Sequence, residues 1–136
     1  MKEENKIIVS GKRKTSIARA TIVSGNGKVT INKTPYNFLS MTRKLMIEEP
    51  LRIAKEKLGN LNYNIDITVT GGGQEARIEA VRLAIARALV AITKSQELKK
   101  AFLAYDKQIL VADTRRKEPY KPGDSKARAK RQKSYR

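Results

Sequence analysis

The chain of 136 residues carries 30 Lys and Arg against 13 Asp and Glu, a formal net charge of +17, and it contains no Cys, His or Trp. The lack of Cys excludes disulfides, thiolate nucleophiles and Cys-based metal sites, and the lack of His removes the most common general base and metal ligand. The sequence has neither an apolar run of about 18 residues that could span a membrane nor an apolar signal-peptide region in its polar N-terminus. We therefore expect a soluble intracellular protein with a single domain.

The basic excess predicts a polyanionic partner, because positive charges of this number repel one another in the isolated protein. Nucleic acid is the first candidate for that partner, and an anionic membrane surface is the alternative. A charge kept only for solubility is a third interpretation, but acidic residues serve that purpose better than basic ones. The composition therefore favours nucleic-acid binding.

Basic residues are concentrated at the C-terminal end of the chain. Residues 113–136 hold ten Lys and Arg against three acidic residues, and no Leu, Ile, Val, Phe or Met follows Val111. Pro119 and Pro122 interrupt regular structure, and the segment buries too little apolar surface to offset its ordering entropy. We predict a globular domain over residues 1–112 and an extended basic tail over residues 113–136. The tail should be disordered alone and ordered on a partner, with a reach of at most roughly 80 Å.

The N-terminal part of the body reads as short strands. A strand opens at residues 7–9, a second is predicted over 16–23, and residues 12–14 lie between the two. The sequence Gly25-Asn26-Gly27-Lys28 is typical of a hairpin turn, which makes residues 29–31 the return strand.

Two short helices and one longer strand are predicted next. Thr34 followed by Pro35 is typical of a helix N-terminus, so a short helix should run through Leu39. A helix around residues 43–48 should precede a separate one that starts at Pro50 and stops at Gly59. Residues 63–70 alternate strictly between apolar and polar, which predicts a strand with one buried face in a sheet covered by helices on one side only.

The C-terminal part of the body is predicted to be helical. A helix over residues 74–93 carries apolar residues on two roughly opposite faces, so it should pack on both sides. Its Arg77, Arg82 and Arg87 point in three directions and form no basic stripe. A last helix is capped by Ser95, and its apolar face contains Leu98, Ala101, Phe102 and Tyr105. The body is thus predicted to be a compact α+β domain.

The first candidate binding site is Lys12-Arg13-Lys14-Thr15-Ser16 together with Arg19. Cations between strands can bind phosphates while hydroxyls donate hydrogen bonds, and a solvated loop is the alternative. The spacing of a P-loop is absent, since only Gly11 precedes the first Lys.

Gly71-Gly72-Gly73 before the long helix is the second candidate, because free N–H groups at a helix start attract anions. The alternative is close backbone packing where strand meets helix, and the glycine spacing does not continue as a dinucleotide site requires. In the tail, Tyr120 and Tyr135 lie among cations and could stack on unpaired bases, or their placement is incidental.

Acidic residues offer little catalytic chemistry. Asp66 lies on the polar strand face, and Glu75 and Glu79 are one helical turn apart. Such a pair can hold Mg²⁺, but a solvated face or a partner for Arg is the more common role. We therefore expect no catalytic residue, no metal site and no cofactor.

Three motifs resemble one family. Residues 11–20, Gly-Lys-Arg-Lys-Thr-Ser-Ile-Ala-Arg-Ala, closely resemble the N-terminal motif of the universal ribosomal small-subunit protein number nine family. The glycines at 71–73 with residues 82–89, Arg-Leu-Ala-Ile-Ala-Arg-Ala-Leu, resemble its central signature, and residues 127–136 look like the tail of its archaeal and eukaryotic branch. In this family Gln is usual where Arg77 stands, and a small residue or Asp is common where Glu79 stands.

The resemblance implies an α+β fold, a mixed sheet with helices on one face and a left-handed βαβ crossover, similar to the second-domain fold of ribosomal protein five. It implies a cytoplasmic protein in the head of the small ribosomal subunit, bound to its rRNA and to neighbouring head proteins. It implies no membrane and no small-molecule substrate. The tail would reach the anticodon stem-loop of the peptidyl-site tRNA through Arg131, Lys133 and Arg136.

We accordingly predict rRNA contacts from both the body and the tail. In the body the predicted residues are Lys12, Arg13, Lys14, Thr15, Ser16, Arg19, Gly72, Gly73 and Arg77. In the tail they are Arg115, Arg116, Lys117, Tyr120, Lys121, Lys126, Arg128 and Lys130. An RNA-processing enzyme, its protein cofactor or an RNA chaperone of related fold is the alternative function, by analogy of fold alone.

Overall fold

The computed structural model describes residues 5–123, 127–128 and 134–136. The described chain is an α+β domain with a mixed sheet and three α-helices. Its elements in chain order are β1 (Ile7–Arg13), β2 (Ser16–Ser24), β3 (Val29–Ile31), β4 (Thr34–Pro35), a 3₁₀ turn (Tyr36–Phe38), α1 (Met41–Leu58), β5 (Tyr63–Thr70), α2 (Gln74–Thr93), α3 (Gln96–Tyr105) and a second 3₁₀ turn (Lys107–Ile109).

The sheet has the strand order β1-β2-β5-β3-β4, and its pairs are antiparallel except for the parallel pair β3–β5. The prediction that residues 29–31 return along β2 as a hairpin is therefore wrong, because β5 lies between β2 and β3. The loop before β3 is held by β5 instead: Asn64 Oδ1 accepts the backbone N–H groups of Asn26 and Lys28 at 2.9 and 3.1 Å. A three-residue strand offers few pairing bonds, and the long alternating β5 provides two edges for its neighbours. The chain β3-α1-β5 thus forms the βαβ unit.

Strand β5 confirms that one face of the sheet is covered. Ile65, Ile67 and Val69 point into the core while Asp66 and Thr68 are exposed. Helix α2 packs on β1 and β2 and, on its other side, on α1, as its two apolar faces predict. The largest fully buried side chains are Phe102, Ile22, Ile47, Ile67, Ile85, Leu89, Leu98, Ile109 and Val81.

Helix α1 is a single helix, which corrects the prediction of two. Pro50 lies inside it and cannot donate to the preceding turn, a defect that usually breaks a helix. Here the helix continues because Ile47, Pro50 and Ala54 are buried together against the core, and their burial offsets the lost hydrogen bond. The predicted stop at Gly59 is confirmed, since this residue adopts a left-handed φ of 81°.

Two further details of the helices differ from the predictions. Thr34 does not cap a helix, because Thr34 and Pro35 form β4 against β3 and the 3₁₀ turn begins only at Tyr36. Tyr105 is 57% exposed and lies outside the buried face of α3. The predicted cap of α3 is confirmed: the Ser95 hydroxyl accepts the N–H of Leu98 at 3.2 Å.

Candidate nucleic-acid interface

The first basic cluster lies at the tip of the β1–β2 hairpin. Strand β1 extends to Arg13, which pairs with Ser16, so the turn consists only of Lys14 and Thr15. The prediction that residues 12–14 all lie between the two strands is therefore wrong, because Lys12 and Arg13 belong to β1 and only Lys14 lies in the turn. Lys14 has a left-handed φ of 52°, a conformation that disfavours residues with a Cβ. Its side chain and that of Thr15 are exposed at the tip.

Strand alternation separates the cations of this cluster. Lys12 lies on the open face of the sheet, and Arg19 lies there beside it, opposite Ser10 on β1 and Thr68 on β5. Arg13 points to the other face, where α2 packs, and its Nε is 2.6 Å from Oε2 of Glu79. The hairpin thus presents Lys12, Lys14 and Arg19 to solvent and turns Arg13 inward.

The polar strand face beside these cations is rich in hydroxyl groups. Thr68 and Thr70 of β5 are exposed next to β2. Asp66 is farther along the same strand, and its carboxylate accepts a hydrogen bond of 2.9 Å from Thr30 Oγ1. This part of the face can therefore offer positive charge and hydroxyl donors to a phosphate backbone.

The glycine loop before α2 packs directly against the hairpin. Buried Ser16 donates from Oγ to the carbonyl of Gly71 at 2.9 Å. Gly71 and Gly72 have positive φ angles of 77° and 66°, and a Cβ on Gly71 would lie 2.6 Å from the carbonyl oxygen of Thr15. The close backbone packing considered as an alternative is therefore present. It brings the two predicted binding motifs side by side and gives Ser16 a structural role.

The three arginines of α2 hold different parts of the chain. Arg77 donates from Nε to the carbonyl of Gly71 at 2.9 Å. Arg82 bridges Glu49 of α1 at 2.6 Å and Asp106 at 3.3 Å. Arg87 donates to the carbonyl of Leu110 at 3.0 Å and also to that of Ser10. The prediction that they form no basic stripe is confirmed.

Asp113 is an important residue that the sequence analysis did not single out. Its side chain is only 10% exposed and forms ion pairs with Arg13 and Arg115. Hydrogen bonds from Arg115, then from Arg13, hold the pKa of this carboxyl far below its usual range. An acid two residues before the run Arg115-Arg116-Lys117 was the available signal. Glu79 on α2 completes the same cluster.

The described tail residues beyond this point are exposed. Lys117 Nζ lies 5.6 Å from the centre of the Tyr120 ring, and Arg128 bonds Glu118 at 3.1 Å. Exposure is shared by the predicted contacts Arg115, Arg116, Lys117, Tyr120, Lys121, Arg128 and Arg136, and also by Tyr135. The predicted contacts Lys126, Lys130, Arg131 and Lys133 lie outside the described residues.

The carboxylates considered for Mg²⁺ serve as partners for arginine. Glu75 is 3.0 Å from Arg43, and Glu79 pairs with Arg13. Within the described ranges, no group of three or more acidic side chains could hold a metal ion. None of the helices in that part of the chain has the length and apolar character needed to cross a bilayer.

Comparison with known proteins decides the family. The profile of the family described as Ribosomal protein S9/S16 matches residues 11–136, which include the hairpin tip, the glycine loop and the tail. The chain belongs to this family. The resemblance found in the sequence is thereby confirmed, and the family is one of structural ribosomal proteins and not of enzymes.

Individual relatives in the family cover almost the whole chain. The chain is 47% identical over 129 residues to the small ribosomal subunit protein uS9 of Methanococcus maripaludis strain C7. The aligned residues cover 93% of this chain and 95% of the relative. The protein of the same name from Methanococcus vannielii is 45% identical with the same coverage. These relatives are archaeal, in agreement with the branch that the tail motif indicated.

Proposed function

We propose that the chain is a structural component of the cytoplasmic small ribosomal subunit, located in its head, and that body and tail both bind small-subunit rRNA. One observation carries the body's part: the hairpin tip, the open sheet face and the glycine loop form one continuous surface with exposed cations. The family and the small-subunit names of its relatives support the assignment. Neighbouring head proteins are the expected protein partners.

The body would bind the phosphate backbone without reading bases. Lys12, Lys14 and Arg19 provide the positive charge, and the Thr15 hydroxyl is a hydrogen-bond donor beside them. Gly73 is the N-cap of α2, where free N–H groups favour an anion. Phosphate contacts of this kind fix position and orientation on folded RNA.

Replacement of Lys14 tests the hairpin contact. Lys14→Gln should reduce the slope of log K against log salt for rRNA fragment binding by about 0.7–0.9, the value for one lost phosphate contact. The free energy of unfolding should stay within about 0.5 kcal/mol, because the side chain is exposed at a turn. The measurement is fluorescence-detected binding to a head-domain rRNA fragment at several salt concentrations.

Lys28→Gln is the matched control, because Lys28 is an exposed loop lysine at the far end of β2. It should leave the slope unchanged. Equal reductions of the salt slope in Lys14→Gln and Lys28→Gln would show that rRNA does not bind preferentially at the hairpin tip.

The tail is proposed to be an extended segment that becomes ordered on RNA and reaches the peptidyl-site tRNA. Arg136 is the proposed terminal contact, with Arg131 and Lys133 behind it. Its support is the exposed position of Arg136, the positive charge of the whole segment and its length of roughly 80 Å when extended. A guanidinium can form a charge-assisted, bidentate contact with a tRNA phosphate.

Deletion of Arg136 should weaken tRNA binding in the peptidyl site by about ten- to a hundredfold, since a hydrogen bond to a charged group contributes about 1.5–3 kcal/mol. Subunit assembly should proceed normally. The measurement is filter binding of tRNA to small subunits that contain the variant, with Ser134→Ala as the control. A failure of assembly would instead assign the tip a structural role.

A further inference from the structure

The guanidinium of Arg13 is engaged by two carboxylates from distant parts of the chain. Its Nε lies 2.6 Å from Glu79 Oε2 on α2, and its Nη1 pairs with Asp113 Oδ2 at the start of the tail. The side chains of Arg13 and Asp113 are only 17% and 10% exposed. The cluster therefore joins β1, α2 and the root of the tail at one partly buried point.

Asp113 also forms hydrogen bonds with the two arginines that follow it in the chain. Its Oδ1 accepts the backbone N–H of Arg115 at 2.9 Å, and its Oδ2 is 2.8 Å from Nη2 of the same residue. Its carbonyl accepts from Arg116 Nη1 at 3.0 Å. On the other side, Arg87 ties the carbonyl of Leu110 to that of Ser10 on β1. The chain is thus held to the body at Leu110 and again at Asp113.

We propose that Arg13 is a positioning residue for the tail and not a phosphate ligand. Arg13, Glu79 and Asp113 form a tail-root clamp, which sets the place and direction in which the tail leaves the body. The purpose of the clamp rests on the proposed RNA binding of the tail, whereas its existence does not.

The clamp places the first tail cations beside the hairpin. Arg13 is adjacent in sequence to exposed Lys14, and Lys12, Arg13 and Asp113 line the same cleft. Arg115 and Arg116 therefore start next to the cations of the hairpin tip. A fixed exit keeps the tail close to the RNA bound by the body, which raises its effective concentration there.

Release of Arg13 to an RNA phosphate would be unfavourable. It would leave Glu79 without the guanidinium it pairs with and Asp113 with Arg115 alone, and both carboxylates would lie close to the negative charge of RNA. A partly buried carboxylate that loses its partner is destabilised. Of the three cations at 12–14, Lys12 and Lys14 are thus free to bind phosphate, whereas Arg13 is the partner of carboxylates within the protein.

Limited trypsin digestion of the free, full-length protein tests the clamp without RNA. Arg13→Gln and Asp113→Asn should each increase the initial rate of cleavage after Arg116 by roughly tenfold, because local opening at the tail root becomes easier. The increase in the double variant should be smaller than the product of the two single increases, since the two substitutions share the Arg13–Asp113 ion pair. Lys28→Gln, at an exposed position at the far end of β2, should be cleaved at the original rate. Unchanged cleavage in both single variants would overturn the proposal.

RNA binding then tests whether Arg13 acts through the tail. In the full chain, Arg13→Gln should weaken rRNA binding a few-fold while leaving the salt slope unchanged. In a chain shortened after Lys117, which keeps only the first three tail cations, the same substitution should have a smaller effect on affinity, whereas a general structural defect would weaken binding equally in both chains. A slope loss of about 0.7–0.9, as for Lys14→Gln, would make Arg13 a phosphate ligand and contradict the proposal. If the unsubstituted chain fails to bind rRNA, the proposed function fails and the digestion alone decides the clamp.

Discussion

A chain shortened after Lys117 should lose about 4–6 units of its slope of log K against log salt for rRNA, since each phosphate contact contributes about 0.7–0.9. The reason is that shortening removes much of the tail's positive charge while the proposed body contacts remain. Between 50 and 200 mM salt, the full chain should therefore lose roughly 300- to 4,000-fold more affinity than the shortened one. The cations removed are Lys121, Lys126, Arg128, Lys130, Arg131, Lys133 and Arg136.

The position of the cut is chosen from the structure. Asp113, Arg115 and Arg116 remain, so the tail root keeps its contacts with Arg13, and thermal unfolding should occur at the same temperature. A full-length variant with the same seven cations replaced by Gln is the matched control for chain length and should give the same slope as the shortened chain. An unchanged slope in both would refute the tail as a phosphate-binding segment and leave the body's contacts standing.

Gly11→Ala should reduce the free energy of unfolding by about 2–4 kcal/mol. Gly11 is buried in β1 where α2 crosses it. An added Cβ would lie 2.5 Å from the carbonyl oxygen of Ala80 and 2.8 Å from the backbone nitrogen of Ala84. These are backbone atoms of a long helix, so relief would require a shift of α2 from the sheet. Urea unfolding should show a lower midpoint with an unchanged m-value.

Gly73→Ala is the matched control for this substitution. No heavy atom lies within 4 Å of a Cβ built on Gly73, and its φ of −81° suits any residue. Its cost should stay below about 1 kcal/mol, because only an N-cap preference is lost. If Gly11→Ala lowers the free energy of unfolding no more than Gly73→Ala does, α2 does not pack closely on β1 at Gly11.

The elements with strong local signals could be predicted from the sequence. The strict alternation in β5 and the two apolar faces of α2 gave the observed bounds of both elements. The Ser95 cap and the Gly59 stop depend on side-chain and backbone chemistry within one turn of the helix. Signals of this kind act over a few residues and are visible in a short window.

The elements that depend on distant partners could not be predicted in this way. Local turn chemistry at residues 25–28 indicates a hairpin, but the pairing of β3 with β5 is decided by a strand more than 30 residues later. Pro50 predicts a helix boundary from its missing N–H, but burial of its ring in the core keeps α1 continuous. In both cases a long-range contact outweighs the local preference.

The family, the α+β class and the basic character of the chain follow from the linear sequence, because motifs, periodicity and charge are properties of neighbouring residues. The different orientations of Lys12, Arg13 and Lys14 do not follow from the linear sequence. Three adjacent cations look equivalent along the chain, and only the packing of α2 on one side of β1, with Asp113 returning 100 residues later, turns Arg13 inward. Which of these cations remain exposed is thus decided by the tertiary structure, since a guanidinium beside two carboxylates is already paired.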